Sequence, residues 1–201
     1  MSRTLIVILI ILAIVLFPVI LIGSWFARNF NQLVQMDEQV NSAWSQVENT
    51  YQRRMDLIPN LVETVKGAAA FEQDTFTQVA EARAKVGSIK MTPELLKDPT
   101  AFSKWEAAQG ELSGALSRLL VTVEKYPELK ASQNFLDLQT QLEGTENRIA
   151  TARQRFNETV QVYDARVRSF PTSVVASFTG FAQRPYFQAK PGADTAPAVK
   201  F

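Results

Sequence analysis

Apolar positions divide the chain into three regimes. From Thr4 to Ala27 no residue is charged, and Leu5 to Leu16 is almost wholly Leu, Ile and Val. As a helix this stretch would reach roughly 36 Å, enough to cross a hydrocarbon core of about 30 Å with some tilt. Beyond it, apolar residues recur every three or four positions, the mark of amphipathic helices. Phe30, Leu33, Val40, Trp44, Val47 and Tyr51 form a stripe interrupted by Asp37. The pattern resumes past Pro59 through Leu61, Val65, Ala69, Phe76 and Val79. It predicts one long kinked helix, or two stacked segments, from about Asn29 to about Val86, with the end or kink near Leu57 because proline removes a backbone donor. Gly87 to Thr100 is a break holding Pro93 and Pro99, and Thr92-Pro93 suits a short helical turn. A helix from about Ala101 to Tyr126 follows, stopped by Pro127. The longest stripe runs from Ser132 to Phe170 and steps by three and four throughout, near the 3.5-residue period of packed, supercoiled helices. Thr172 onward is the third regime, aromatic yet broken by Gly180, Pro185, Pro191, Gly192 and Pro197.

No segment alternates with period two, and no helical unit recurs at fixed spacing, so neither a sheet nor a solenoid is supported. The expected fold is all-α: an N-terminal transmembrane helix over residues 1–28, a long antiparallel bundle of up to four helices over 29–171, and an aromatic C-terminal tail over 172–201. A retained anchor is favoured over a cleaved signal peptide, whose apolar region is shorter and ends in small residues, whereas Gly23-Ser24 is followed by Trp25-Phe26. Arg3 and Arg28 flank the span symmetrically, so the positive-inside rule assigns no side to the bundle.

The chemistry available is sparse. The chain has no Cys and no His, which removes disulfides, thiol nucleophiles, the usual zinc and haem ligands and the commonest general base. With 21 Lys+Arg against 20 Asp+Glu it is nearly neutral, which disfavours electrostatic binding of nucleic acid. Glu143 and Glu146 lie on the long helix among Arg148, Arg153 and Arg155. Di-iron bundles need Glu-x-x-His pairs, so these charges read as ion pairs on solvated helix faces. The aromatic stripe of Trp44, Tyr51, Phe76, Trp105, Tyr126, Phe135, Phe156 and Tyr163 reads as bundle core.

Several blocks resemble the LemA family: Asn31-Gln-Leu-Val34, Val40-Asn-Ser-Ala-Trp44, Arg53-Arg-Met-Asp-Leu-Ile-Pro-Asn-Leu-Val62, Glu63-Thr-Val-Lys66, Tyr126-Pro-Glu-Leu-Lys-Ala131, Asn134-Phe135, Leu142 to Ala150, Ala152-Arg153, Phe156-Asn157 and Phe170-Pro171. The likeness covers nearly the whole chain after the anchor. Phe156 stands where the family more often has Tyr. The resemblance implies a bacterial membrane protein with one N-terminal span, a helical bundle and no established enzyme activity.

Two groups of residues are candidates for function. Arg53, Arg54, Asp56, Pro59 and Asn60 either form a docking point or pivot for a partner, or brace a kink in which an Arg or Asn side chain takes the Met55 carbonyl that Pro59 frees. Phe178, Phe181, Tyr186 and Phe187 are expected to pack on the bundle, the membrane surface or a neighbouring copy, with Lys190 to Val199 as an extended end. The reading that follows is a non-enzymatic protein without cofactor, metal or small-molecule substrate. It is held in the bacterial inner membrane by a single pass and works by homo-oligomeric assembly and docking. The alternatives are an adaptor for a membrane protease or sensor, and a membrane-shaping or envelope-stress protein.

Overall fold

The computed structural model describes residues 3–68 and 72–188, with side chains for 10–67 and 72–188. Among the described residues there is no strand. The elements are α1 (Arg3–Ala68), α2 (Gln73–Gly87), a 3-10 turn (Pro93–Lys97), α3 (Pro99–Val123), α4 (Pro127–Lys130), α5 (Gln133–Arg168) and α6 (Thr172–Thr179). They form two compact units. One takes the described residues up to Asn41 and Gln161–Gln183; the other takes Ser42–Val160 and the described residues from Arg184.

The helix limits follow local chemistry. Asp98 caps α3, its Oδ1 accepting the N–H of Thr100 at 2.9 Å and of Ala101 at 3.1 Å, with Pro99 at the first helical position. Ser132 Oγ accepts the Phe135 N–H at 3.4 Å at the head of α5. Gly180 ends α6 with φ +81°, a left-handed turn that suits glycine. Of the two outcomes expected near Leu57, an end or a kink in a continuing helix, Pro59 does not end α1: the helix runs on to Ala68, and α2 begins at Gln73 rather than continuing it to Val86. The Met55 carbonyl, which would have bonded to the missing N–H, is taken instead by Arg83 Nε of α2 at 3.3 Å. Ile58 and Leu61, both buried, hold this turn in the core.

The Ser42–Val160 unit is an up-down-up-down bundle. Trp44 meets Phe102 and Trp105 at one level, and Tyr51 meets Trp105 further along, so α1 and α3 run parallel. Trp44 meets Phe156 while Arg54 meets Glu146, so α5 runs antiparallel to both. Lys85 pairs with Glu111 and Lys125 with Glu72, so α2 runs antiparallel to α3. Each long helix buries positions that alternate by four and three: Trp44, Val47, Tyr51, Arg54, Ile58, Leu61 and Val65 on α1, and Phe102, Trp105, Gln109, Leu112, Leu116, Leu119 and Val123 on α3. One end of the seam is aromatic, built on Trp44, Phe102, Trp105, Phe156 and Phe187. The other is aliphatic, built on Ile58, Leu61, Val65, Leu112, Leu116 and Leu119. Arg54 and Gln109 form a polar layer between them.

In the other unit, Leu33, Tyr163, Val167, Val175 and Ala176 are buried, and Asn29 links α1 to α5 and α6. Its Oδ1 accepts from Arg166 Nη2 at 3.0 Å and from Thr172 Oγ1 at 3.1 Å. The large side chains Ile10 to Ile22 are exposed. Here α1 is long and apolar enough to cross a membrane, with a mean hydropathy of 2.7 over its most apolar window.

Candidate functional site

Seam spacing turns Arg54 inward, and its side chain is buried at 1 % exposure. A guanidinium there needs acceptors, because an isolated buried charge is costly. Its Nη1 donates to Ser113 Oγ and to Glu146 Oε1, each at 3.0 Å, and its Nη2 donates to Gln109 Oε1. The Tyr51 ring lies one turn back on α1, 4.9 Å from the guanidinium carbon. Ser113 Oγ in turn donates a hydrogen bond to the Gln109 backbone carbonyl at 3.1 Å. Arg54 Nε and Gln109 Nε2 remain buried donors with no partner among the described residues.

A second cation stands beside this layer. Arg153 Nη2 donates to Glu106 Oε1 at 2.7 Å and to the Gln188 carbonyl at 3.2 Å, while its guanidinium covers the Phe187 ring at 4.5 Å. Asn157 clamps both backbone groups of Phe187. Its Nδ2 donates to the Phe187 carbonyl at 2.9 Å, and its Oδ1 accepts the Phe187 N–H at 3.0 Å. That hook seats Phe187 in the aromatic tier and Gln188 at the rim.

Between these groups lies a cleft of about 480 Å³, lined by Tyr51 and Arg54 of α1, Ser103, Glu106, Gln109 and Ser113 of α3, Glu146 and Arg153 of α5, and Gln188. Burial pushes the Glu106 carboxyl above its ordinary value, against Arg153 and the Gln188 amide, which lower it. Burial likewise raises the Tyr51 hydroxyl, with Arg153 and Arg54 opposing. Glu146 is 43 % exposed and forms the open side. Two cations, two carboxylates and amide-like donors suit recognition of a polar backbone or side chain. A wider hollow between α2 and α3 carries Lys85 and Glu111, both more than half exposed, and offers no buried polar group of comparable constraint.

Of the block around Pro59, only Arg54 reaches this cleft. Arg53, Asp56 and Asn60 lie on the exposed face of α1, Pro59 is half-buried, and Asp56 accepts a local bond from Gln52 at 2.8 Å. The Met55 carbonyl is taken by Arg83, which the sequence reading did not name, rather than by Arg53, Arg54 or Asn60. Glu146 and Arg153, expected on solvated faces, instead reach the cleft. Gln109, Ser113, Glu106 and Asn157 were not anticipated, although Gln109 falls on the four-three seam. In the tail, Phe187 is buried, Phe181 sits 6.0 Å from Phe30, Tyr186 is half-exposed and Phe178 is exposed. Lys190 to Val199 lies outside the described residues. Among the described residues no three carboxylates gather into a metal-binding group.

The architecture defines an all-α helical-bundle protein with a candidate N-terminal membrane span. The chain belongs to the LemA family, whose sequence model matches residues 43–201. It is 31% identical over 182 residues to Magnetosome protein MamQ 1 of Paramagnetospirillum magneticum, covering 83% of this chain and 67% of that protein. The figures are the same for Magnetosome protein MamQ of Magnetospirillum gryphiswaldense. It is also 23% identical over 178 residues to Protein LemA of Metamycoplasma hominis, covering 87% of this chain and 77% of that protein.

Proposed function

We propose that this protein is a non-enzymatic scaffold of the bacterial inner membrane that works by assembly and by docking a partner polypeptide. The first part of α1 holds it in the bilayer in a single pass, copies of the chain associate there, and the Arg54 cleft seats a polar segment of the partner. The observation that carries this reading is the cleft itself. It combines a fully buried cation, a second cation stacked on Phe187 and two partly exposed carboxylates. Sequence similarity reaches relatives with names as different as a magnetosome protein and Protein LemA, which fits a common scaffold serving different partners. Tethering in a membrane raises effective concentration, so modest contacts between copies suffice.

The test uses Gly110 on the rim, where an added Cβ would meet no heavy atom within 4 Å. Gly110→Phe sets a ring at the edge this cleft shares with the α2–α3 hollow and leaves the backbone unstrained, while Ala107 lines the cleft alone. A photo-crosslinking side chain at Ala107 in the full-length protein, in native membranes, is expected to capture a partner polypeptide. Gly110→Phe is expected to abolish that capture with an unchanged melting temperature. Capture that persists in Gly110→Phe would remove the docking site from this surface.

A further inference from the structure

Helix α6 has two unlike faces. Thr172, Val175 and Ala176 are buried against its own unit, while Val174 and Phe178, one turn apart, point outward. Phe178 is 81 % exposed, and Phe170, just before the helix, is 85 % exposed. Lone exposed apolar residues need no explanation, but two nearly bare phenylalanines and a valine on so short a segment do.

The position of the segment supplies one. Thr172 bonds to Asn29, and Phe181 packs on Phe30. Asn29 and Phe30 follow Ala27, the last residue of the uncharged stretch, by a rise of roughly 3–5 Å along α1. The headgroup layer on each side of a bilayer is roughly 5–7 Å deep. If α1 spans the membrane up to Ala27, α6 is therefore fastened within the headgroup layer, beside Trp25 and Phe26. Charge agrees with this placement. Arg28 and Arg168 are exposed, whereas the acidic pair Asp37 and Glu38 lies roughly 14 Å further along α1.

We propose that α6 is an interfacial membrane-binding helix: Phe170, Val174 and Phe178 enter the boundary between headgroups and acyl chains, and Arg28 and Arg168 bind anionic headgroups. This rests on the reading of α1 as a membrane span and adds a second, peripheral contact to it. The bilayer is preferred to a second copy because α6 is tied to α1 at Asn29 and Phe30, in the first turn beyond the uncharged stretch.

The absence of native cysteine makes the test direct. Single variants Ile14→Cys, Phe178→Cys and Ser117→Cys of the full chain carry an environment-sensitive fluorophore and are reconstituted into phosphatidylcholine vesicles with and without phosphatidylglycerol. A nitroxide quencher on the acyl chains is expected to remove most of the emission at 14 and 178 and to spare 117. Aqueous iodide is expected to do the reverse. Phosphatidylglycerol is expected to deepen quenching at 178, and Arg28→Gln with Arg168→Gln to cancel that gain. Lipid contact at 14 with iodide access at 178 would overturn the inference while the span stands. Iodide access at both would overturn both. Shielding at 178 from both quenchers, with disulfide-linked dimers of the unlabelled Phe178→Cys protein, would assign the face to a second copy and overturn the inference.

Discussion

Replacing Arg54 by methionine probes the polar layer that divides the bundle core. The change keeps an unbranched apolar stem against Tyr51 and deletes the charge. Gln109, 4 % exposed, then loses the donor to its Oε1, and an unsatisfied buried acceptor costs about 1–3 kcal/mol. Glu146 faces water and is resolvated at little cost. Glu146→Ala should be worse, because it leaves the guanidinium buried without its carboxylate. Breaking such a pair costs about 3–5 kcal/mol, and solvent entering the open side holds this one toward the lower figure. Arg54→Met with Gln109→Leu removes both unsatisfied groups and makes the layer apolar, so it should return to the parent stability or exceed it. The assay is thermal and urea unfolding of the detergent-solubilised full-length chain, followed by the helical circular dichroism signal. At about 2–4 °C per kcal/mol for a chain of this size, Arg54→Met should lower Tm by roughly 2–12 °C. A double variant no more stable than Arg54→Met, or a Glu146→Ala protein that melts with the parent, would refute this account of the layer.

Other consequences follow from particular contacts. Phe187→Ala removes a buried ring from the Trp44, Phe102, Trp105 and Phe156 tier and should cost about 3–5 kcal/mol; an unchanged unfolding midpoint would detach the tail from the core. Pro59→Ala returns an N–H to the Met55 carbonyl and should stabilise by up to about 3 kcal/mol. Arg83→Met should cost about 1 kcal/mol in the parent and nothing beside Pro59→Ala, so a double-mutant cycle that proves additive would contradict the shared acceptor. Glu106 titrates above its ordinary value when folded. In that window the folded chain holds a proton that the unfolded chain has lost, so this contribution to stability falls as pH rises through it. Glu106→Gln should flatten that part of the profile of unfolding midpoint against pH, and an unaltered slope would count against the burial.

The helices were legible because apolar positions step by three and four and because Pro and Gly punctuate them. The polar layer was less so. Arg54 and Gln109 occupy seam positions, but their polarity removes them from an apolar stripe, and their partners lie more than fifty residues away. Nothing in a single chain says which helix faces which. Pro59 shows tertiary structure overriding a local rule, since a side chain from α2 replaces the lost donor and α1 runs on. Phe156-Asn157 was visible as a motif, but the role of Asn157 in hooking Phe187 depends on a segment thirty residues later. The brevity of α6, between Pro171 and Gly180, hid it among the breaks of the tail.

The proposed scaffold requires copies of this chain to associate in the membrane. Native mass spectrometry of the full-length protein released from lipid nanodiscs tests it most directly. The account predicts discrete multiples of the chain mass that keep bound lipid and survive dilution. A single-chain species at every concentration would contradict it.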